Sequence, residues 1–219
     1  IEKYIARATA SIVRTKNIAT IRISPGDRDE RQRFSIAHEL GHLKLNHQTG
    51  KIKTICTQKD MMSWYKKSIE TEANFFASEL ILPTVMLERL CDVEEIDFRP
   101  VKKIAKKFRA SLTATAIKFV RLNPEKCALV YSENGKIVWS CRSSDWRPFI
   151  QNKAPLDQRT EAYEFFQRKE LYEEPVETPA DAWFNDSRGI GDIVEHSIGS
   201  KEFDFVLSLL WIRPTSDWQ

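Results

Sequence analysis

Two histidines and a glutamate in the run HELGH have the residue types and spacing of a hydrolytic metal site. His38 and His42 stand four residues apart in the helix-favouring stretch RQRFSIAHELGHLKL, so their imidazoles project from one helical face. That face can present two nitrogens to one tetrahedral Zn²⁺ ion. Glu39 can then serve as the base that takes a proton from water at the metal. Since the chain has only 4 histidines, this spacing predicts zinc chemistry rather than an incidental pair.

A catalytic zinc ion normally has three protein ligands and one water molecule, so a third ligand is needed. The extended pattern HExxHxxGxxH is excluded, because Leu45 and Gln48 stand at its glycine and third-histidine positions. His47 lies on another face of a continued helix, and we expect it to be a helix-end histidine. A carboxylate from a second helix is therefore the better candidate.

That second helix is predicted over about residues 63–82 and contains SIETEANFFASELIL, with Pro83 ending it. Its apolar stripe is expected to comprise Ala73, Phe76, Ala77 and Leu80. At about 100° per residue, Glu70 lies roughly 20° beyond one edge of the stripe and Glu72 roughly 40° beyond the other. Helical spacing therefore favours Glu70 slightly and leaves Glu72 open.

The blocks RFSIAHELGHLKLNH and IETEANFFASELILP together resemble the ImmA/IrrE-type metallopeptidases. That family has an HExxH helix and a later E-x-x-A-N-x-F-A helix. The resemblance implies that His38, His42 and Glu70 bind Zn²⁺, in a gluzincin-like ligand set, and that Glu39 is the general base. It also implies a substrate class, namely helix-turn-helix repressors whose cleavage switches genes on.

These observations predict an α+β chain with two domains. Residues 1–124 are expected to form a zincin-like helical metallopeptidase domain with a short edge β-sheet, and residues 125–219 a smaller mixed α/β domain. The predicted function is a zinc-dependent endopeptidase that cleaves a helix-turn-helix repressor. A non-catalytic, zinc-containing regulatory or antitoxin-like binding protein is one alternative, although an intact Glu39 argues against it. A DNA-binding regulator is the other.

The DNA-binding alternative depends on a basic segment at residues 99–122, which is predicted to form two short helices separated near Ala110. Between residues 100 and 121 there are seven basic side chains and no acidic ones. The pattern resembles a helix-turn-helix, and the lysines expected to contact DNA are Lys102, Lys103, Lys106 and Lys107. Because the turn position is alanine rather than glycine, helices that complete the peptidase domain are the stronger interpretation.

Composition agrees with a cytoplasmic protein that has a sizeable core. Of the 219 residues, 42% are apolar, yet no apolar run of 18 residues predicts a membrane span. Residues 1–20 lack the apolar centre of a signal peptide. The 4 cysteines show no CxxC spacing, so we expect reduced thiols.

Several shorter patterns predict the elements around the site. Ser11–Arg14 and Ile18–Ile23 alternate as β-strands, with a turn at Lys16-Asn17, and the second could hold an extended substrate along its edge. In the C-terminal region, Asn134-Gly135 predicts a hairpin in which Val130 lies opposite Trp139. Further elements are expected at Asp157–Tyr172 (helix), Ile190–Ile198 (strand) and Phe203–Ile212 (central strand).

Two further roles follow from the expected zinc chemistry. A second electrophile must stabilise the oxyanion, and the candidates are Tyr65, Arg33 and His196. Asn74 lies one turn after Glu70 and could orient a ligand by a hydrogen bond, or bond the local backbone instead.

Overall fold

The computed structural model describes residues 10–14, 18–23, 25–47 and 69–214. Over these residues the chain is mixed α/β, with six α-helices, a two-stranded sheet and a five-stranded antiparallel sheet. The expected turn at Lys16-Asn17 and the candidate Tyr65 lie outside the described residues. No helix of the described ranges is both long and apolar enough to cross a membrane.

By compactness the chain divides into two units. The first comprises Ile1–Thr84 and Ala105–Ser111, and the second comprises Val85–Ile104 and Leu112–Gln219. This division differs from the domain boundary that we placed after residue 124, where the sequence changes from helical to β character. Helix α5 (Leu112–Leu122) packs against strands β3 (Cys127–Glu133) and β4 (Lys136–Arg142), and this packing places it in the second unit. The boundary after residue 124 stays a prediction.

The first unit begins with the strand pair expected from the alternating segments. Strand β1 (Ala10–Arg14) pairs antiparallel with β2 (Ala19–Ile23), with Ile12 opposite Ile21. Helix α1 follows at Asp29–Lys44. The two acidic residues in its first turn interact favourably with the positive end of the helix dipole. Helix α2 is described over Ile69–Ile81, within the predicted range.

Helices α1 and α2 approach closely at Gly41. A Cβ atom on this glycine would lie 3.1 Å from both the Cα and the carbonyl oxygen of Ala73. On α2 the buried residues are Ala73, Asn74 and Ala77, whereas Leu80 is 52% exposed. Including Leu80 in the apolar stripe was therefore wrong. The buried face is rotated toward Glu70, which shares it at about 100° per residue.

The remaining helices are α3 (Thr84–Cys91), α4 (Phe98–Phe108), α5 and, later, α6 (Glu161–Arg168). As predicted, the basic segment forms two helices, and the left-handed conformation of Arg109 separates them. Helix α6 is shorter than expected for definite reasons. The Thr160 side chain caps its start by accepting a hydrogen bond from the Tyr163 amide, and Lys169 ends it in the left-handed region.

The five-stranded sheet has the order β4-β3-β7-β6-β5, in which β5 is Val176–Pro179, β6 is Asp192–Ser200 and β7 is Phe205–Trp211. Strand β7 is central, which confirms the interpretation of its nearly continuous apolar run. Strand β5 was not predicted, because it is short and ends in Pro179. One face of the sheet covers a core that includes Trp146, Phe165 and Trp183.

The β3–β4 hairpin turns at Asn134 and Gly135, both with positive φ, as the sequence predicts. The predicted register was wrong by one residue. A bulge between Tyr131 and Ser132 places Tyr131 opposite Trp139 and Val130 opposite Ser140. The rings of Tyr131 and Trp139 stack with centroids 5.3 Å apart, a contact that pairing counted from the turn does not reveal.

Candidate metal centre

His38, His42 and Glu70, the three predicted zinc ligands, converge in the first unit. The Nε2 atoms of His38 and His42 lie 2.9 Å apart. The Oε2 atom of Glu70 lies 3.2 Å from Nε2 of His38 and 3.5 Å from Nε2 of His42. Both histidines are buried, whereas the Glu70 side chain is 38% exposed. The site is thus reached from the side of the carboxylate.

The donor set fits Zn²⁺ in both spacing and charge. Tetrahedral zinc with ligand bonds of about 2.0–2.1 Å requires ligand atoms about 3.3 Å apart, which is close to the three observed separations. The Nδ1 atom of His38 lies 2.9 Å from Oδ1 of Asn74. An amide oxygen only accepts hydrogen bonds, so Nδ1 is the donor in this contact and Nε2 is the nitrogen left to bind a metal ion. Asn74 thereby makes the orienting contact that we considered for it.

The Glu70 carboxylate supplies negative charge to this cluster. Its contacts with the His38 and His42 rings lower its pKa to about 2, because they stabilise the ionised form more than partial burial penalises it. Three atoms that can each offer a lone pair to a cation thus lie 2.9, 3.2 and 3.5 Å from one another, an arrangement that a bound cation would satisfy. Among the described residues, this is the one group of His, Cys, Asp and Glu side chains arranged to hold a metal.

Glu39 lies beside the ligands but is not one of the converging groups. Its side chain is buried, and its Oε2 atom has no hydrogen-bond partner among the described residues. Burial raises the pKa of Glu39, the nearby His38 and His42 rings lower it, and the negative Glu70 raises it, with a net upward change. A buried carboxylate that holds a proton more readily than usual suits a general base that later acts as an acid.

His47 lies in the turn that ends helix α1, as expected, but it also contacts His42. Helix α1 ends at Lys44, Asn46 takes a left-handed conformation, and the His47 amide donates to the His42 carbonyl oxygen at 3.1 Å. The chain therefore turns back, and His47 is buried with its Nδ1 atom 3.0 Å from Nδ1 of His42. Its Nε2 atom lies 3.0 Å from Oε2 of Glu72. The available signal was Asn46, because asparagine tolerates the left-handed region that commonly ends helices.

Two of the three candidates for oxyanion stabilisation have contacts of their own. The Arg33 guanidinium donates to the carbonyl oxygen of Phe108 at 3.5 Å. Nδ1 of His196 accepts a hydrogen bond from the Phe98 amide, the first of α4, at 3.1 Å. Burial lowers the pKa of His196, which keeps the ring neutral and Nδ1 able to accept. The oxyanion-stabilising residue stays a prediction.

Comparison with known proteins gives a family match and a similar solved structure. The family described as IrrE N-terminal-like domain, a peptidase family designated M78, matches residues 4–119 of this chain. Among solved structures, a Mycobacterium tuberculosis transcriptional regulator is similar at 15% sequence identity with a TM-score of 0.49. That alignment covers 88% of this chain but 59% of the regulator, so the chain spans less than two thirds of that protein. No curated protein matches the chain significantly.

The family match covers more than half of the 219 residues and includes all of α1 and α2. It thus contains the HELGH run and the helix that carries Glu70, which are the two blocks on which the resemblance depended. The chain therefore belongs to the family of proteins with an IrrE N-terminal-like domain.

Proposed function

We propose that this protein is a zinc-dependent endopeptidase with a zincin-like helical domain. The observation that carries the proposal is the convergence of His38, His42 and Glu70 beside a buried Glu39, in a chain that belongs to a peptidase family. Zn²⁺ held by the two imidazoles and the carboxylate would act as a Lewis acid, polarising the scissile carbonyl and lowering the pKa of water.

Glu39 moves the proton in this scheme. Its carboxylate accepts a proton from water as the water oxygen attacks the scissile carbonyl carbon, and the proton passes to the amine nitrogen as the C–N bond breaks. The raised pKa of Glu39 brings it closer to neutral pH, where a group can both accept and return a proton. General acid–base catalysis of this kind typically contributes roughly 10²–10⁴-fold to the rate.

The substitution Glu39→Gln tests the mechanism. We expect zinc content to equal that of the wild type and cleavage to fall at least about a hundredfold, because the base is removed while the ligands stay. Glu30→Gln is a matched control, since Glu30 lies in the first turn of the same helix, away from the metal-binding cluster. Undiminished cleavage by the Glu39 variant would end the general-base assignment.

For the substrate we propose a helix-turn-helix repressor. The family resemblance supports this choice, and the exposed strand β2 supports the capture of an extended segment such as a linker. Among the described residues, β2 pairs with β1 alone. The free thiols of Cys91, Cys127 and Cys141 fit a reducing compartment, so we also propose a cytoplasmic location.

Incubation of the zinc-loaded protein with the repressors encoded near its gene tests the substrate class. We expect one repressor to be cut at a defined position, much faster than an unfolded protein such as casein. Casein digestion at the same rate would contradict the specificity. Retention of zinc without cleavage of any repressor would instead favour the non-catalytic binding protein.

A weak contact with DNA is an auxiliary proposal. Lys102, Lys103, Lys106 and Lys107 are all exposed along the single helix α4. Exposed lysines bind phosphates electrostatically, so replacing all four with alanine should weaken DNA association and reduce its dependence on salt. Unchanged DNA association in this variant would remove the auxiliary proposal and leave the peptidase proposal standing.

A further inference from the structure

A chain of hydrogen bonds extends from His42 through His47 to Glu72. The two Nδ1 atoms of the histidines are 3.0 Å apart, and Nε2 of His47 is 3.0 Å from Oε2 of Glu72. Both histidines are buried, whereas the Glu72 side chain is 63% exposed. A solvent-facing carboxylate is thereby connected to a side chain that we propose as a zinc ligand.

The chemistry of the three groups determines where each hydrogen lies. An ionised carboxylate only accepts, so Nε2 of His47 must carry a hydrogen and donate it to Glu72. With a single ring hydrogen placed on Nε2, His47 has its lone pair on Nδ1, which accepts. Nδ1 of His42 must therefore be the donor of the contact between the rings. The lone pair of His42 is left on Nε2, the atom that faces His38 and Glu70.

His38 reaches the same tautomer by a separate route, because its Nδ1 atom contacts Oδ1 of Asn74 directly. The two ligands are thus oriented by independent partners, one an amide and the other a histidine–carboxylate pair. In metal sites, partners of this kind fix the ring and the tautomer of a histidine ligand, and their removal typically costs about 10–100-fold in metal affinity.

We infer that His47 and Glu72 are positioning residues that hold His42 with its Nε2 lone pair toward the metal, and that Glu72 acts only through His47. This inference rests on the proposed function, because it takes His42 to be a zinc ligand. It does not depend on the ion pair as a source of stability, since a carboxylate so exposed stabilises the fold little.

The experiment compares Glu72→Ala with Glu72→Gln in the full chain, and it measures zinc affinity by competition with a chromophoric chelator. Alanine removes the acceptor for Nε2–H of His47, and we expect zinc to bind about tenfold more weakly or worse. Glutamine keeps an oxygen acceptor without the charge, and we expect it to restore most of the affinity. The absorption spectrum of the Co²⁺-substituted protein should change with alanine and be retained with glutamine, which a loss of fold stability alone would not produce.

A double-mutant cycle tests whether Glu72 acts through His47. His47→Leu should weaken zinc binding, and adding Glu72→Ala to it should have no further effect. In contrast, Asn74→Leu should add its full effect to either variant, because it acts on the other ligand. Since Glu72 lies at the surface, its single variants remain informative even if the His47 variant does not fold.

Three results would overturn the inference: wild-type affinity in Glu72→Ala, an equal loss with glutamine, or additive effects in the double variant. These are distinguishable from failure of the proposed function. A wild-type chain that binds no zinc would refute the metal site and the inference together. A zinc-loaded, proteolytic wild type with unaffected Glu72 variants would refute the inference alone.

Discussion

The substitution Gly41→Ala tests how closely the two helices must approach for the metal site to form. A Cβ atom at this position would lie 3.1 Å from Cα and O of Ala73 and 3.2 Å from Cβ of Phe76. Ordinary contacts begin near 3.4 Å, so α2 would have to move by a few tenths of an ångström. Two of the three atoms belong to the α2 backbone, and no rotamer change can relieve the overlap.

Two opposing effects determine how much Gly41→Ala changes the free energy of unfolding. Alanine is favoured over glycine inside a helix by about 1 kcal/mol. Overpacking against a rigid neighbour costs roughly 1–3 kcal/mol. We therefore expect a net loss of about 1 kcal/mol in the free energy of unfolding. Because the displaced helix carries Glu70, zinc affinity should fall together with stability.

Urea denaturation of the metal-free protein and chelator competition of the zinc-bound protein measure the two effects. Gly26→Ala is the control, since no atom lies within 4 Å of the position that its Cβ would take, and neither quantity should change. A Gly41→Ala variant that is more stable than the wild type and binds zinc equally well would refute the packing argument.

Three other experiments have definite expected outcomes. Glu70→Ala should release most of the zinc, because it removes a ligand. Glu72→Ala should still bind one equivalent when zinc is in excess. Metal analysis of both variants decides which carboxylate is the ligand. Burial and the nearby charge of Glu195 raise the pKa of Glu161 to about 7, although two backbone amides donate to it. The folded protein then binds the Glu161 carboxyl proton more tightly than the unfolded chain does. The free energy of unfolding should therefore fall by up to about 3 kcal/mol as pH rises from 4.5 to 7. Urea denaturation of Glu161→Gln over the same pH range should show a smaller fall. Gly199→Ala would place a Cβ atom 2.3 Å from the buried Phe165 ring, and we expect a loss of roughly 1–3 kcal/mol in unfolding free energy. Phe165→Leu should partly relieve this loss. Equal losses from Gly199→Ala in the wild-type and Phe165→Leu chains would contradict the argument.

Local sequence patterns predicted much of the secondary structure. The 3.6-residue period placed His38 and His42 on one face of a helix, and that helix is present at Asp29–Lys44. Asn134-Gly135 predicted the hairpin turn, and the apolar run ending at Ile212 predicted the central strand. Each of these features depends on neighbours within a few residues along the chain, so the sequence contains the information directly.

Patterns failed where one element depends on another that is distant in sequence. Leu80 was assigned to the buried stripe of α2, but the partner surface on α1 contacts a face centred nearer Glu70. The register of the β3–β4 hairpin was wrong because a bulge after Tyr131 shifts the pairing, and turn chemistry alone does not reveal bulges. Strand β5 exists because β6 pairs with it.

The candidate site shows the same difference between features set by local sequence and features set by the packing of distant elements. The sequence by itself determined the residue types, the helical spacing of His38 and His42, and a base one residue away, because all three lie within one turn of helix. Only the tertiary structure decided which carboxylate completes the cluster, since Glu70 and Glu72 stand near opposite edges of one helical face, and the packing of α2 on α1 turns Glu70 toward both imidazoles. The same packing, together with the reversal of the chain at Asn46, brings His47 between His42 and Glu72. A helical period cannot encode such contacts, because they depend on where one helix ends and how closely the next approaches.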